Sequence, residues 1–382
     1  MSLKTAVSPR AAVKVAAVGA ATLTILGASV AVAVAEPDDW NVIDTPVLDQ
    51  EYWFEAAAVL GGDDAWAVGT ALAAGNEGYD DGVAMHWNGV EWTNTPGLES
   101  KPLSDVVALS SDEVWAVGSH QEEGLPAATR WNGGEWESTP VPPPDEPGGD
   151  SRNDVLYGVD AAASDDVWAV GTANSPDGHM AFAEHWDGAE WSLVELPVPD
   201  DAAEAYLNSV TVVSADEAWA VGSVDLGADG TRPWMLRYDG QQWSETPVDD
   251  VGGEGRFGLF DVTTIDGLDG AWASGLHGGE PLLLHWSGER WEAVDTPVAD
   301  GRLEAAGPDG EGGMFLAGRN SNYQPVLMRY RDGVVTEEES PLTGDIVMLW
   351  DVEPAADSDD VWLVGDVKAD GVVVGGVARR SP

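Results

Sequence analysis

The sequence contains no cysteine among its 382 residues. This absence excludes disulfide bonds, thiolate metal sites and cysteine nucleophiles. Basic residues are also scarce, because 17 lysines and arginines stand against 68 aspartates and glutamates, which gives a formal charge of −51. A chain this acidic repels phosphate backbones and anionic lipids, so we expect neither nucleic acid nor a membrane surface as a partner.

Long apolar runs are confined to the start of the chain. Three basic residues precede an uncharged stretch that ends in Ala33-Val34-Ala35, just before an acidic segment. This order predicts a secretory signal peptide over residues 1–35, and therefore an extracellular protein with no membrane span after cleavage. The alternative is an uncleaved anchor, because about 20 apolar residues can span a bilayer.

Tryptophan is abundant, with 19 copies, and most of them recur in a repeated unit that covers residues 36–382. The unit reads D-D-V-W-A-V-G, a variable loop, H-W-D-G-x-x-W and then T-P. Its first tryptophan returns every 43 to 53 residues when Phe315 is counted as the sixth copy, a spacing typical of four-stranded propeller blades. The first-tryptophan positions are Trp66, Trp115, Trp168, Trp219, Trp272 and Trp362.

Each unit divides into four short strands separated by turn signals. Asn-Gly or Asp-Gly pairs mark hairpins, and a proline after the last strand suits an outer edge. We therefore predict an all-β, seven-bladed β-propeller with four antiparallel strands per blade. The seventh unit lacks a fourth strand, and Trp40–Pro46 matches one, so we expect the N-terminal strand to complete the last blade. An open solenoid of similar repeats is the alternative.

The repeats resemble those of bacterial secreted β-propellers, a group loosely placed with kelch and galactose-oxidase-like proteins. The resemblance rests on D-D-V-W-A-V-G and H-W-D-G-x-x-W and covers nearly all of residues 36–382. It implies the propeller fold and little about function, since propellers host many chemistries. The chain departs from galactose oxidase itself, because it has no cysteine to form that enzyme's cysteine-linked tyrosine. The plan is also similar to that of WD-repeat proteins.

A histidine or arginine stands before the second aromatic residue of each unit, and the histidines are His86, His185 and His285. We expect these groups to bond the acidic turn of their blade, which is a structural role like that of the repeated tryptophans. A metal or anion ring is the alternative. Dedicated calcium loops are absent from the sequence, and we predict no metal and no cofactor.

Positions that differ between the units are free to serve function. Variation concentrates in the loop after W-A-V-G and in the links between units, and both are expected on one face of the ring. Candidate ligand-binding residues lie on the innermost strands near that face, together with an aromatic residue outside the repeat positions, which we expect to be exposed. These candidates are Phe54, Tyr157, Asn208, Phe260, Trp350 and Trp234.

The sequence carries none of the common catalytic motifs, such as G-x-S-x-G or H-E-x-x-H. We therefore expect a secreted, monomeric, non-catalytic propeller that binds an extracellular glycan or protein on its variable face. Two alternatives stay open: a carbohydrate-active enzyme with a site at the channel mouth, and a mainly structural envelope protein.

Overall fold

The computed structural model describes residues 40–381, except for 73–79, 145–153, 176–177, 250 and 252–254. The predicted signal peptide, residues 1–35, lies outside the described residues. The described chain forms seven four-stranded sheets, which are the blades of the predicted propeller. No helix in these ranges is both long and apolar enough to cross a membrane.

The strands are numbered in chain order, beginning with β1 (Trp40–Ile43). Blade 1 contains β2 (Tyr52–Gly61), β3 (Asp64–Ala71), β4 (Asp81–Trp87) and β5 (Trp92–Asn94); blade 2 contains β6 (Leu103–Ser110), β7 (Glu113–His120), β8 (Leu125–Trp131) and β9 (Trp136–Thr139); blade 3 contains β10 (Val155–Ala163), β11 (Asp166–Ser175), β12 (Gly178–Trp186) and β13 (Trp191–Val194); blade 4 contains β14 (Glu204–Ser214), β15 (Glu217–Asp225), β16 (Thr231–Tyr238) and β17 (Trp243–Glu245). Blade 5 contains β18 (Phe257–Thr264), β19 (Ala271–His277), β20 (Glu280–Trp286) and β21 (Trp291–Val294); blade 6 contains β22 (Arg302–Pro308), β23 (Met314–Arg319), β24 (Pro325–Arg331) and β25 (Val334–Glu338); blade 7 contains β26 (Ile346–Pro354), β27 (Val361–Ala369), β28 (Val372–Arg380) and β1. A short 3₁₀ turn, Gly227–Asp229, precedes β16.

The first strand of each blade lies innermost and bulges by one residue against the second strand. The glycine of W-A-V-G lies opposite this bulge. A Cβ at Gly118 would stand 2.1 Å from the carbonyl oxygen of Pro102, a distance that no side chain tolerates. The repeated glycine is therefore a consequence of the bulge, which directs one extra side chain per blade toward the axis.

The ring closes as predicted. Strand β1 pairs with β28 in antiparallel register, with Trp40 opposite Arg380 and Ile43 opposite Val377. The hydroxyl of Thr45 donates to the carbonyl of Gly375 at 2.7 Å just beyond the strand. Closure removes the exposed edge that an open array of blades would leave.

The tryptophans form a continuous aromatic belt between blades. The first aromatic residue of each blade contacts the second or third aromatic residue of the next blade, as Trp66 does with Trp131 and Trp136. The belt also crosses the closure, because Trp362 of blade 7 packs at 6.0 Å from Trp92 of blade 1. Aromatic packing of this kind contributes burial and edge-to-face attraction, so the belt stabilises every blade junction.

The T-P ending also has a structural reason. The threonine hydroxyl of one blade accepts a hydrogen bond from the indole N–H of the next blade's third tryptophan. The Trp191 indole bonds Thr139 at 3.0 Å, and that of Trp136 bonds Thr95 at 2.9 Å. These bonds give a partner to a polar atom that would otherwise be buried alone.

The histidines and arginines of the repeat bridge an acidic group and a tryptophan. His86 Nε2 lies 2.8 Å from Asp64, and its ring stacks on Trp66 at 4.5 Å. His185 makes the same pair with Asp166 at 2.8 Å, whereas His285 contacts the backbone oxygen of Asp269 at 2.7 Å. Each of the three histidines is therefore used within its own blade, whereas Arg379 of blade 7 also donates to the carbonyl of Gly62 in blade 1 at 2.8 Å.

Blade 6 keeps this arrangement with different residues. The fully buried carboxylate of Asp309 replaces the missing acidic turn and accepts from Arg329 and Arg331, both at 2.7 Å. Burial opposes its ionisation, but the N–H of Gly313 and the Arg329 guanidinium, among other donors, together lower the pKa of Asp309 to about 2. The sixth unit therefore differs in sequence but keeps the pairing between an acidic group and a basic group of its third strand.

Candidate functional site

The seven innermost strands surround a central channel with a cavity of about 1150 Å³. We call the end where these strands begin the loop face, because the loop after each second strand lies there as well. The opposite end, with the short turns between first and second strands, is the turn face. The cavity runs from the bulge residues near the loop face to the turns of blades 5, 6 and 7. A space of this size suits a small ligand or one end of a larger one.

One bulge residue from each blade forms a ring around the channel near its loop-face end. Five of the seven are acidic or aromatic: four of them lie in blades 5, 6, 7 and 1, and Tyr157 lies in blade 3. The ring consists of Glu55, Ser104, Tyr157, Asn208, Phe260, Glu304 and Trp350.

Four sequence candidates lie in this ring: Tyr157, Asn208, Phe260 and Trp350. Tyr157 is 41% exposed. Asn208 donates to the carbonyl oxygen of Leu259 in the next blade at 2.6 Å, so its amide also joins two blades.

The other two candidates do not reach the channel. Phe54 occupies the position that leucine holds in the other blades, is fully buried, and packs against Trp92 with ring centroids 6.4 Å apart. The bulge residue of blade 1 is its neighbour Glu55. The expectation of an exposed Trp234 was wrong: this residue is fully buried, because β16 turns it toward the core opposite Gly222.

Charged and aromatic side chains converge at the loop-face end of the channel between blades 6, 7 and 1. We call the following set the mouth cluster: Trp53, Glu55, Arg302, Glu304, Arg319, Trp350 and Asp366. In blade 1, the Trp53 indole donates to Glu55 at 2.7 Å, and in blade 7 the Trp350 indole donates to Asp366 at 2.7 Å. Glu55 and Trp350 line the cavity, and Trp53 and Asp366 are their hydrogen-bond partners.

Blade 6 forms the other side of the mouth. Arg302 bonds Glu304, and Arg319 Nε lies 3.6 Å from the same carboxylate oxygen. The Arg302 guanidinium also lies over the ring of Phe260, 4.8 Å from its centroid. Two guanidinium groups thus share one carboxylate on this side. On the other side, Glu55 and Asp366 form no ion pair with a described residue, although the charge of Arg302 acts on Glu55.

Burial dominates the proton affinity of the mouth carboxyls. It raises the pKa of Glu55 to about 6, with the bond from Trp53 opposing the shift and the nearby charge of Glu304 adding to it. Burial also raises the pKa of Asp366 well above its usual range. Even Glu304, beside two arginines, has a raised pKa because it is only 8% exposed. The carboxyl groups of the mouth are therefore partly shielded from water, which favours their protonated form.

Deeper in the channel, buried aspartates join neighbouring blades. Asp105 accepts from the N–H of Val159 at 2.7 Å, and Asp351 accepts from the N–H of Ala57 at 2.8 Å across the closure. Asp160 and Asp261 make the same kind of bond to the following blade, and burial raises the pKa of each to about 6. The channel wall is thus both structural and acidic.

Sequence reasoning missed most of the mouth cluster, although the repeats carry a signal for it. The position after W-A-V-G is a small hydroxyl residue in blades 1 to 4, where it is Thr70, Ser119, Thr172 and Ser223. In blades 6 and 7 the same position carries Arg319 and Asp366. Opposite charges at one repeat position in adjacent blades mark a departure from the common scaffold.

No protein-family model and no curated protein sequence matches the chain. Among solved structures, the chain is similar to U3-55K, with a TM-score of 0.57 and 11% identity over 90% of this chain and 100% of that one. It is also similar to the WD40 repeats of RRP9, with a TM-score of 0.55 and 12% identity over 90% and 99% of the two chains. A sialidase of Trypanosoma rangeli in complex with sialic acid follows, with a TM-score of 0.49 and 11% identity over 89% of this chain and 58% of that one. The likeness is one of fold. The narrower resemblance to secreted bacterial and kelch-like repeats stays a prediction.

Proposed function

We propose that this protein is an extracellular binding propeller whose ligand, a glycan or a protein segment, docks at the loop-face mouth of the central channel. The observation that supports this most is the mouth cluster. It gathers aromatic rings, guanidinium groups and carboxyls beside a cavity of about 1150 Å³. Aromatic faces with a few orienting polar groups are typical of ligand sites.

The repeat architecture supports placing the site on the loop face. The turns on the opposite face follow one pattern in most blades, with Asn-Gly or Asp-Gly hairpins and acidic corners. The loop face carries the links of unequal length, although 73–79 and 145–153 lie outside the described residues. Binding residues concentrate on variable loops that a rigid frame carries.

Export is part of the proposal and rests on the N-terminal pattern of basic residues, apolar run and Ala-x-Ala. N-terminal sequencing of the protein released by its own host tests it. We expect a start at or near Glu36. A start at or near Met1 in a membrane fraction would instead support the anchor.

Ligand screening with a matched pair of variants tests the site. A glycan array and an array of extracellular peptides are probed with the wild type, with Trp350→Ala and with Leu193→Ala. Leu193 is an exposed apolar residue of the outermost strand of blade 3 and serves as the control. We expect a ligand whose affinity falls at least tenfold in Trp350→Ala and stays unchanged in Leu193→Ala, with both variants melting near the wild type. A ligand that Trp350→Ala binds as the wild type does would place the site elsewhere.

A glycoside-cleaving activity is the second candidate, favoured by one observation. Glu55 and Glu304 lie close enough for the charge of one to raise the pKa of the other, and hydrolysis of glycosides commonly uses such carboxyl pairs. Reducing-sugar release from neutral and acidic polysaccharides is the assay. Activity that is lost in Glu55→Gln would support an enzyme, and its absence from the wild type on every polysaccharide would reject this candidate.

A further inference from the structure

The cavity is strongly asymmetric in charge. Ten acidic residues and one basic residue, Arg302, are found among the described residues that line it. Arg302 is bonded to Glu304 and its charge also acts on Glu55, so a single guanidinium group faces ten carboxyls among these lining residues. A low-dielectric channel focuses the field of its wall, and this channel therefore attracts cations and repels anions.

The blade 7 side of the mouth holds a buried carboxyl group with one unpaired oxygen. Asp366 is 3% exposed, and its Oδ1 has no hydrogen-bond partner in the described part of the chain. Its other oxygen accepts only the neutral indole N–H of Trp350 among the side chains. A buried carboxyl without a cationic partner is costly, and a ligand that supplies the positive charge would remove that cost.

Glu55 repeats this arrangement from blade 1. Its carboxylate accepts the indole N–H of Trp53, and the charge of Glu55 acts on Asp366. Two indoles and two carboxyls thus stand together without a basic residue bonded to either acid among the described contacts. An aromatic face attracts an ammonium group, and a neighbouring carboxylate adds to that attraction.

Further acid lies along the path into the channel. Glu353 lines the cavity and makes no side-chain hydrogen bond to any described residue. The same cavity also contains Asp351, whose charge acts on Glu353. A ligand that enters past the mouth therefore meets carboxyls at successive depths, which suits a narrow, linear cation.

We propose that the mouth binds a primary ammonium group on a linear aliphatic chain, held between the Trp53–Glu55 and Trp350–Asp366 pairs. A lysine side chain and a free polyamine carry the same group, and the experiment below separates these two sources. The inference rests on the proposed function, since it uses the same mouth and names the chemistry of its ligand. Divalent metal is a poorer fit, because the described residues contain no group of three or more His, Asp or Glu side chains placed to ligate an ion.

The test must separate this site from the general attraction of a chain with a charge of −51 for cations. We would use two probes, spermidine and the singly charged Nα-acetyl-lysine methylamide, in isothermal titration calorimetry at 0.5 M NaCl. At this salt concentration the screening length falls to about 4 Å, so exposed carboxylates lose most of their attraction and enclosed ones lose less. The matched ligand control is the lysine amide with its Nε acetylated, which keeps the chain and removes the charge.

Three variants complete the design. Glu55→Gln and Asp366→Asn keep an acceptor for the neighbouring indole while removing a mouth carboxyl. Glu190→Gln removes one exposed carboxyl from the turn face of blade 3. Melting curves verify that each variant is folded.

We expect one molecule of an ammonium probe to bind per chain and the acetylated amide not to bind. The affinity for the ammonium probe should fall at least tenfold in Glu55→Gln and in Asp366→Asn, and it should stay unchanged in Glu190→Gln. The probe that binds more tightly identifies the source of the group. Equal binding of the acetylated amide, or equal losses in Glu190→Gln and the mouth variants, would overturn the inference. A screen that finds an ammonium-free ligand lost in Trp350→Ala would overturn it as well, and would leave the proposed binding function standing.

Discussion

Glu184 is a buried ionisable group whose carboxyl is unsatisfied in the described structure. It lies on β12 of blade 3, is fully buried, and neither of its carboxyl oxygens has a hydrogen-bond partner among the described residues. The same strand position carries Leu236 in blade 4 and Leu284 in blade 5. Desolvation raises the pKa of Glu184 from 4.5 to about 8.

This shift has a calculable effect on stability. Between pH 4.5 and about 8 the folded protein holds a proton on Glu184 that the unfolded chain has released. The free energy of unfolding therefore falls as pH rises through this window. Because one pKa unit corresponds to about 1.4 kcal/mol, the cost at pH 7 is about 3 kcal/mol, and at pH 5 it is less than about 1 kcal/mol.

Glu184→Leu removes this cost and restores the residue type of the neighbouring blades. We expect the variant to be more stable than the wild type by about 3 kcal/mol at pH 7, which is about 4 °C in melting temperature for a domain of this length. Urea unfolding followed by tryptophan fluorescence at pH 5, 6, 7 and 8 measures the gap, with Glu190→Gln as an exposed control from the same blade. A gap that stays constant from pH 5 to 8 would refute the reasoning, because a packing effect alone does not titrate.

Three further predictions concern the ring and its junctions. Deletion of Trp40–Pro46 should lower the melting temperature by more than 5 °C, since it removes β1 and opens the ring; an unchanged melt would contradict closure by this strand. Thr139→Val should lower the free energy of unfolding by about 1–3 kcal/mol by leaving the Trp191 indole unpaired, whereas Thr139→Ser should restore most of the loss in the same urea titration. Asp309→Asn should lower the free energy of unfolding by about 2 kcal/mol near neutral pH, because the pKa of Asp309 in the folded state is about 2. The wild type loses this stabilisation only as the pH falls from about 4 toward 2, and equal unfolding midpoints of the two proteins at pH 7 would contradict the prediction.

The fold could be predicted because every blade repeats the same arrangement of strands and turns. An aromatic residue three positions before a glycine and a proline after the last strand recur in all seven blades, so their spacing gave the blade count and the closing strand. The structure adds causes that no single repeat reveals, such as the threonine that accepts from the next blade's indole. Such bonds cross between repeats that lie far apart in sequence.

The site was harder to predict because it depends on register and on neighbours. Phe54 stands where the other blades have leucine. The channel-facing residue of blade 1 was therefore assigned one position too early, to Phe54 and not to Glu55. Trp234 stands outside the repeated positions, yet strand alternation directs it to the core. The mouth cluster joins three blades, so only a comparison of equivalent positions, where Arg319 and Asp366 break the pattern, could have pointed to it.

The closing strand has a consequence for the synthesis of the chain. Thr45, just beyond β1, bonds a carbonyl 330 positions later, and among the described strands β1 pairs only with β28. Strand β1 is therefore synthesised long before its partner strand, and in a chain that stops before Val372 it has no β28 to pair with. In such a chain Trp40 would not pack on Phe315, and the edges of β1 and β27 would be exposed. Ring closure therefore depends on the synthesis of β28, because without this strand the edges of β1 and β27 stay open to proteases and to other chains.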